Sequence, residues 1–431
     1  MRLGTWLPFR PASGMLTHFT RVPVSEPTAR RATERAGAAY VELQTALVEL
    51  LERERPPAPP GPALQFLSVD GAMVPLVGGQ WAEVKTLAIG TVGAPVRAAG
   101  QWVVQTGELS SCSRLADHET FARLATVETH RRGTECAGRV AGVVDGADWA
   151  QQFLDLHRPD AARILDFPHG AEYVARAGQA AFGAGTAAAT AWLGQQLHEL
   201  RHGDSRTVLG KLRGLHEELA VQAAGGEPSE AQQVIATSLA YLEKRQAQLR
   251  YAEFVAQGYP IGSGATESAN KLVMEARLKG AGMHWERQHV NPMVALRTIA
   301  CSDRWEEAWP QISARLRAQA RERARARQAA RRPAEAAPVA AVPPGAAAPA
   351  PTGRGSAASS RVVDTRVHRV AATTTTAAAS VAAAVPHPAR TRAVARAPSG
   401  PRRPAANHPW RRGFSLRAPR PRPDSPASAE T

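Results

Sequence analysis

Apolar positions along the chain change their period several times, and each change predicts an element. Over residues 1–53 they recur at helical spacing. In FTRVPVSEPTARRATERAGAAYVELQTALVELL, Ser25 offers an N-cap and Pro27 falls in the first turn, where a missing N–H costs little. Arg30, Arg31 and Arg35 project from that helix. A short helix, a tight VPVS turn and a basic second helix suit a helix-turn-helix. A helical hairpin with a solvated Arg face fits the same residues. The stretch ERPPAPPGPA, residues 54–63, reads as a Pro-rich linker.

From Leu64 the period shortens. LQFLSVD, WAEVKTLAIGTV and QWVVQTGEL are β-rich runs separated by Gly-containing turns. A charged helical stretch, RLADHETFARLATVETHRR, follows. Then come a strand, GRVAGVVD, a helix, DWAQQFLDL, and a further strand, AARILDF. Three strands, a helix and a strand–helix–strand unit predict a mixed α/β sheet. Residues 170–256 read as helical throughout. Leu193, Leu197 and Leu200 keep helical spacing, as do Leu212, Leu215 and Leu219, and Ile235, Leu239, Leu242 and Leu249. These stripes are core positions. GYPIGSGATES interrupts them, a helix runs to about Arg277, and the helical pattern fades near Arg332.

Charge changes the picture once it is divided. The 431 residues hold 53 Lys+Arg and 38 Asp+Glu, a formal +15. Residues 311–431 alone hold 22 Arg, no Lys and 5 acids, or +17; the first 310 hold 31 basic and 33 acidic side chains, or −2. A polyanion site on the body must therefore be local. The tail is Ala, Pro, Arg, Ser and Thr, too poor in large apolar residues to offset the entropy of ordering, so disorder is expected there. No signal peptide and no long apolar span is visible. Cys112, Cys136 and Cys301 are too few and too scattered for a disulfide framework or a CxxC zinc module. The sequence reads as soluble, intracellular and without a membrane partner.

Three carboxylates stand where catalysis would favour them. Asp70 ends LQFLSVD and Asp145 ends GRVAGVVD, each before a glycine; Glu267 follows IGSGAT on a helix that also carries Asn270, Lys271, Met274 and Arg277. A carboxylate at the carboxyl end of a buried strand is held rigidly where ligands bind. Two carboxylates about 4 Å apart repel by roughly 4 kcal/mol at an effective dielectric near 20, so three together require a cation. All-oxygen ligands suit Mg²⁺ or Mn²⁺. A pair of such ions can activate water or a 3′-hydroxyl and stabilise the leaving oxygen in phosphoryl displacement. The same residues carry plainer readings: Asp-Gly is a common hairpin turn, and Glu267 suits the first turn of a helix.

VDGAMVPL, WAEVKTLAIG, VVDGADWAQQF, ILDFPHGAEYV and above all GYPIGSGATESANKLVMEARLKGAGMHWERQHVNPMVALR resemble the ISKra-type insertion-sequence transposases, bacterial DDE enzymes of the Mutator-like group. The likeness spans about Leu16 to Trp309. It implies an RNase H-like mixed sheet with an all-helical insertion before the last acid. The chain then divides into a helical, helix-turn-helix-like segment (1–53), the first part of the catalytic core (64–169), the insertion (170–256), the rest of the core (257–310) and the tail (311–431).

By that resemblance Asp70, Asp145 and Glu267 are the catalytic, metal-binding acids, separated by 75 and 122 residues. Asp148 and Asp166 rival Asp145. Asp166 and His169 match an Asp-x-x-His motif of the group and would be auxiliary; Asp166 alone also suits a helix N-cap ahead of Pro168. Arg30, Arg31, Lys271, Arg277, Lys279 and Arg287 would contact DNA phosphates. Trp285 with His284 would meet a DNA end, although a core Trp beside an exposed His is the other reading. The resemblance further implies Mg²⁺ or Mn²⁺ as cofactor, element-end and target DNA as partners, a homo-oligomer, and a bacterial cytoplasm. Members commonly open with a Cys-containing ribbon that has no counterpart here, and the Arg-rich tail is atypical. The alternative function is a truncated, catalytically inactive remnant that binds DNA without cutting it.

Overall fold

The computed structural model describes residues 1–98, 101–222 and 227–331. Most of the 311–431 tail, for which disorder is expected, lies outside the described residues. The chain opens with three helices, α1 (Arg2–Trp6), α2 (Phe9–Thr20) and α3 (Glu26–Glu54). Helix α3 begins as its sequence dictates: Ser25 Oγ accepts from the Thr28 amide at 3.4 Å, with Pro27 in the first turn. Strands β1 (Leu64–Pro75) and β2 (Trp81–Val92) form a hairpin. Next come β3 (Val96–Ala98), β4 (Gln101–Val103) and β5 (Thr106–Arg114). Helix α4 (His118–Arg131), β6 (Arg139–Val144), α5 (Asp148–His157) and β7 (Ala162–Leu165) complete the sheet region.

A helical run follows: α6 (Phe167–Phe182), α7 (Ala187–His202), α8 (Ser205–Gln222), α9 (Glu230–Lys244) and α10 (Tyr251–Ala256). Helix α11 (Gly264–Asn270) continues through a π-helical turn, Lys271–Glu275, into the short α12 (Ala276–Leu278). Helices α13 (Arg287–Cys301) and α14 (Trp305–Arg331) close the described chain. Among the described residues no helix is long and apolar enough to cross a membrane.

The five-stranded sheet has the order β5-β2-β1-β6-β7. Strand β2 is antiparallel to β1 and β5, whereas β1, β6 and β7 run parallel, so the sheet is mixed. Alternating side chains serve two cores. Leu64 and Phe66 of β1, Ala141 and Val143 of β6 and Ile164 of β7 pack with α6 to α10, burying the leucine stripes of that run. Leu67, Val69, Val140 and Val144 point the other way, toward Phe121 of α4 and Phe153 of α5. A third cluster joins Val74 and Val84 to Val273, Met274, Trp285 and Val294. In a fourth, Ala36, Ala39 and Tyr40 of α3 meet Leu296 and Ile299 of α13 and Ile312 of α14.

Two expectations change. Asp70 does not end its strand: pairing with β2 continues from Asp70–Thr86 to Pro75–Trp81, and the turn falls at Gly78–Gly79, both with positive φ. Basic residues after Gln311 do not all belong to a tail, because α14 stays helical to Arg331 and buries Ala308 and Ile312. Helix α3 packs on α13 and α14. Gly37 lets α3 close on α13, where a Cβ would lie 2.5 Å from the Pro292 carbonyl carbon.

Candidate active site

Register places the acids. Strands β1 and β6 pair with a constant offset of 75 residues, Leu64 opposite Arg139 and Leu67 opposite Gly142. The same offset separates Asp70 from Asp145. Strands β6 and β7 pair with an offset of 21, Ala141 opposite Ala162 and Val144 opposite Leu165, and 21 residues separate Asp145 from Asp166. Carried to the carboxyl ends of β6 and β7, these offsets set Asp145 and Asp166 level with Asp70 inside β1, in one row. Adjacent strands lie about 4.8 Å apart. The Asp166 amide donates to the Val144 carbonyl at 2.8 Å, which anchors the last step. By alternation all three continue the side that carries Phe66, Val143 and Ile164. Glu267 approaches that side from the first turn of α11, whose Ala265 and Ala269 pack on the same core.

Each acid has its own surroundings. Asp70 is half-buried; Oδ1 accepts from the Gly71 amide at 2.7 Å and Oδ2 from Asn270 Nδ2 at 2.8 Å. Burial raises its carboxyl above the usual range, the amides of Gly71 and Asn270 oppose this, and the charges of Asp145 and Glu267 raise it further. Asp166 is buried, with Oδ1 accepting from the Ser263 amide at 2.7 Å and Oδ2 from the His169 amide at 3.3 Å. Burial again raises its carboxyl, and Glu267 adds to the effect. Asp166 thus caps α6, as its place ahead of Pro168 suggests, and lies in the row. Asp145 is half-buried, with Oδ1 accepting from the Ala147 amide at 2.9 Å. Its rival Asp148 is exposed at the start of α5 and pairs with Lys244 at 3.0 Å.

The donor set is all oxygen and anionic, which fits a hard divalent cation in kind. Its spread is wider than a closed site. Among the described residues no group of three or more His, Cys, Asp or Glu side chains is gathered tightly enough to hold one ion. His169 stacks edge-on against Tyr173 and Tyr241 and lies 4.0 Å from Glu172.

The expected DNA contacts separate into two groups. Arg30, Arg31, Lys271 and Arg287 are exposed; Lys271 sits 3.8 Å from Glu267. Lys279 is partly covered and bound to Glu275 at 3.0 Å. Arg277 and Trp285 are a correction, being 2% and 7% exposed. Arg277 donates to the Gly4 carbonyl and lies over the rings of Phe9 and Trp285, and burial brings its pKa down to about 10. Trp285 Nε1 donates to the Leu278 carbonyl at 3.0 Å. Both residues hold the N-terminal helices to the core. His284 beside Trp285 is exposed.

Four residues partner the acids or the backbone beside them. Asn270 was legible as the residue one turn after Glu267, on the same helix face. The Ser263 amide, and the side chains of Tyr241 and Arg245 beside Asp145, carry no pattern that marks them. No family model matches this chain, and no match was found among curated proteins.

Proposed function

We propose that this chain is a DDE-type transposase that cuts and joins DNA with divalent metal, on an RNase H-like sheet carrying a helical insertion. The observation that carries this reading is the row of Asp70, within β1, and Asp145 and Asp166, just past the ends of the parallel strands β6 and β7, with Glu267 facing it. The resemblance of the GYPIGSG segment to ISKra-type transposases supplies the reaction class. Asp70, Asp145 and Glu267 would hold Mg²⁺ or Mn²⁺, with Asp166 beside them. The ions would supply a metal-activated oxygen nucleophile and charge stabilisation of the leaving oxygen. The chain's own part is to aim these carboxylates. Asn270 and Gly71 fix the carboxylate of Asp70, and Ser263 fixes that of Asp166. Exposed Arg30, Arg31, Lys271 and Arg287 offer phosphate contacts.

Purified protein should nick DNA bearing the element's terminal repeats when Mg²⁺ is present. Glu267→Gln should abolish nicking and leave DNA binding intact; equal nicking by that variant would remove Glu267 from the site. A second reading, a copy that binds DNA without cutting, draws on the spacing of the carboxylates, which form no closed group of three among the described residues. Salt-sensitive binding with no cleavage at any Mg²⁺ or Mn²⁺ concentration would favour it.

A further inference from the structure

One face of the helical insertion is wired to the loop that follows Asp145. Tyr241, Lys244 and Arg245 stand at positions i, i+3 and i+4 at the end of α9, so they project together. Tyr241 Oη donates to the Asp145 carbonyl. Arg245, buried at 9% exposure, donates to the Gly146 carbonyl through Nε at 3.0 Å and Nη2 at 2.6 Å. Its Nη1 returns to the Tyr241 carbonyl at 3.0 Å, and its guanidinium lies 3.8 Å from the centre of the Tyr241 ring. Lys244 reaches Asp148 at 3.0 Å, an exposed pair that adds little.

The loop is shaped for this approach. Gly146 has φ +82°, and a Cβ there would stand 2.7 Å from Tyr241 Oη. Tyr241 is itself held, stacked on Tyr173 of α6 with centroids 3.7 Å apart and planes 6° from parallel. The carbonyls of Asp145 and Gly146 lie just past the end of β6, where no neighbouring strand among the described residues takes them. Without donors from α9 they would be free to turn, and the Asp145 carboxylate would turn with them.

We infer that Tyr241 and Arg245 are positioning residues, which fix the backbone of Asp145 and Gly146 so that the Asp145 carboxylate keeps one orientation toward a divalent ion. The insertion is thereby a working part of the site and not a spacer. This rests on reading Asp145 as a metal-binding acid, and the two ideas part under test.

Full-length wild type, Tyr241→Phe, Arg245→Met and Arg245→Lys are compared by amide hydrogen exchange at residues 146–148 and by Mn²⁺ titration followed by electron paramagnetic resonance. Tyr241→Phe removes one hydroxyl and should leave the fold intact. Exchange should quicken in Tyr241→Phe and Arg245→Met, and Mn²⁺ half-saturation should rise about tenfold or more, as when partners that orient metal ligands are removed elsewhere. Arg245→Lys should recover part of both. Unchanged exchange overturns the clamp. Faster exchange with unchanged Mn²⁺ half-saturation overturns the positioning role. Wild type that takes up no Mn²⁺ overturns the metal reading itself, and the inference falls with it.

Discussion

Asp70→Asn tests the electrostatics of the acid row directly. Asp70 shares its side of the sheet with Asp145 on the next strand and faces Glu267, and burial plus both charges push its carboxyl up. Carboxylates about 6 Å apart at an effective dielectric near 20 repel by roughly 3 kcal/mol, and partial exposure screens this to about 2 kcal/mol. Replacement also weakens the bond from Gly71, because a neutral acceptor gains about 1 kcal/mol less than a charged one. The carboxamide NH2 cannot accept from Asn270 Nδ2; once the Asn270 amide turns over, it donates instead to Asn270 Oδ1, which among the described residues is buried without a partner, so that bond is exchanged and not lost. The balance favours the metal-free variant by about 1 kcal/mol at neutral pH.

The sign with pH follows from linkage. A carboxyl whose folded pKa is raised binds its proton more tightly when folded, so wild type loses stability as pH rises from the unfolded value, about 3.9, through the folded one. The carboxamide does not titrate. Its advantage should therefore be absent in acid, grow through that window and level off above it. Urea unfolding in EDTA at acid and neutral pH measures the gap. Repeating it with Mg²⁺ should reverse the order, because an ion bound only by the folded wild type stabilises that form. A variant less stable than wild type at neutral pH without metal, or a gap that ignores pH, would refute the electrostatic account.

Other sites give independent checks. Gly37→Ala forces a methyl to 2.5 Å from the Pro292 carbonyl carbon, so it should cost about 2–3 kcal/mol and lower the melting temperature by several degrees in a thermal scan. His157, whose Nε2 lies 3.0 Å from the Ala122 carbonyl, has its pKa brought down to about 4 by burial. It contributes stability above pH 6.5 that is lost as pH falls toward about 4, on the order of 2 kcal/mol; His157→Asn should flatten that slope in acid unfolding curves. Arg297 is 2% exposed and donates to Leu272, to Val273 at 3.3 Å and to Thr5 at 3.4 Å, joining the π-helical turn to the N-terminus. Arg297→Met leaves those carbonyls short of donors and should cost about 3 kcal/mol, with faster amide exchange across residues 272–276.

Local pattern alone determined much of this protein. Runs of β-favouring residues located β1, β2, β6 and β7, helical stripes located α7 to α9, and Ser25 with Pro27 marked the start of α3, because burial of an element leaves its mark in that element's own residues. Asp70, Asp145 and Glu267 were legible as carboxylates beside turn or helix-start signals. Tertiary structure decided the rest. That Asp70 lies inside a longer strand depends on pairing with β2, and that Arg277 and Trp285 are core depends on where α1 and α2 fold back. The level row of three aspartates depends on two inter-strand offsets, 75 and 21, which no residue on any one strand encodes. Hydrogen bonds from Asn270 to Asp70 and from Tyr241 to the Asp145 carbonyl cross 200 and 96 residues of chain. Such contacts leave no period, since they arise from the meeting of elements whose separate patterns record only which face each one buries.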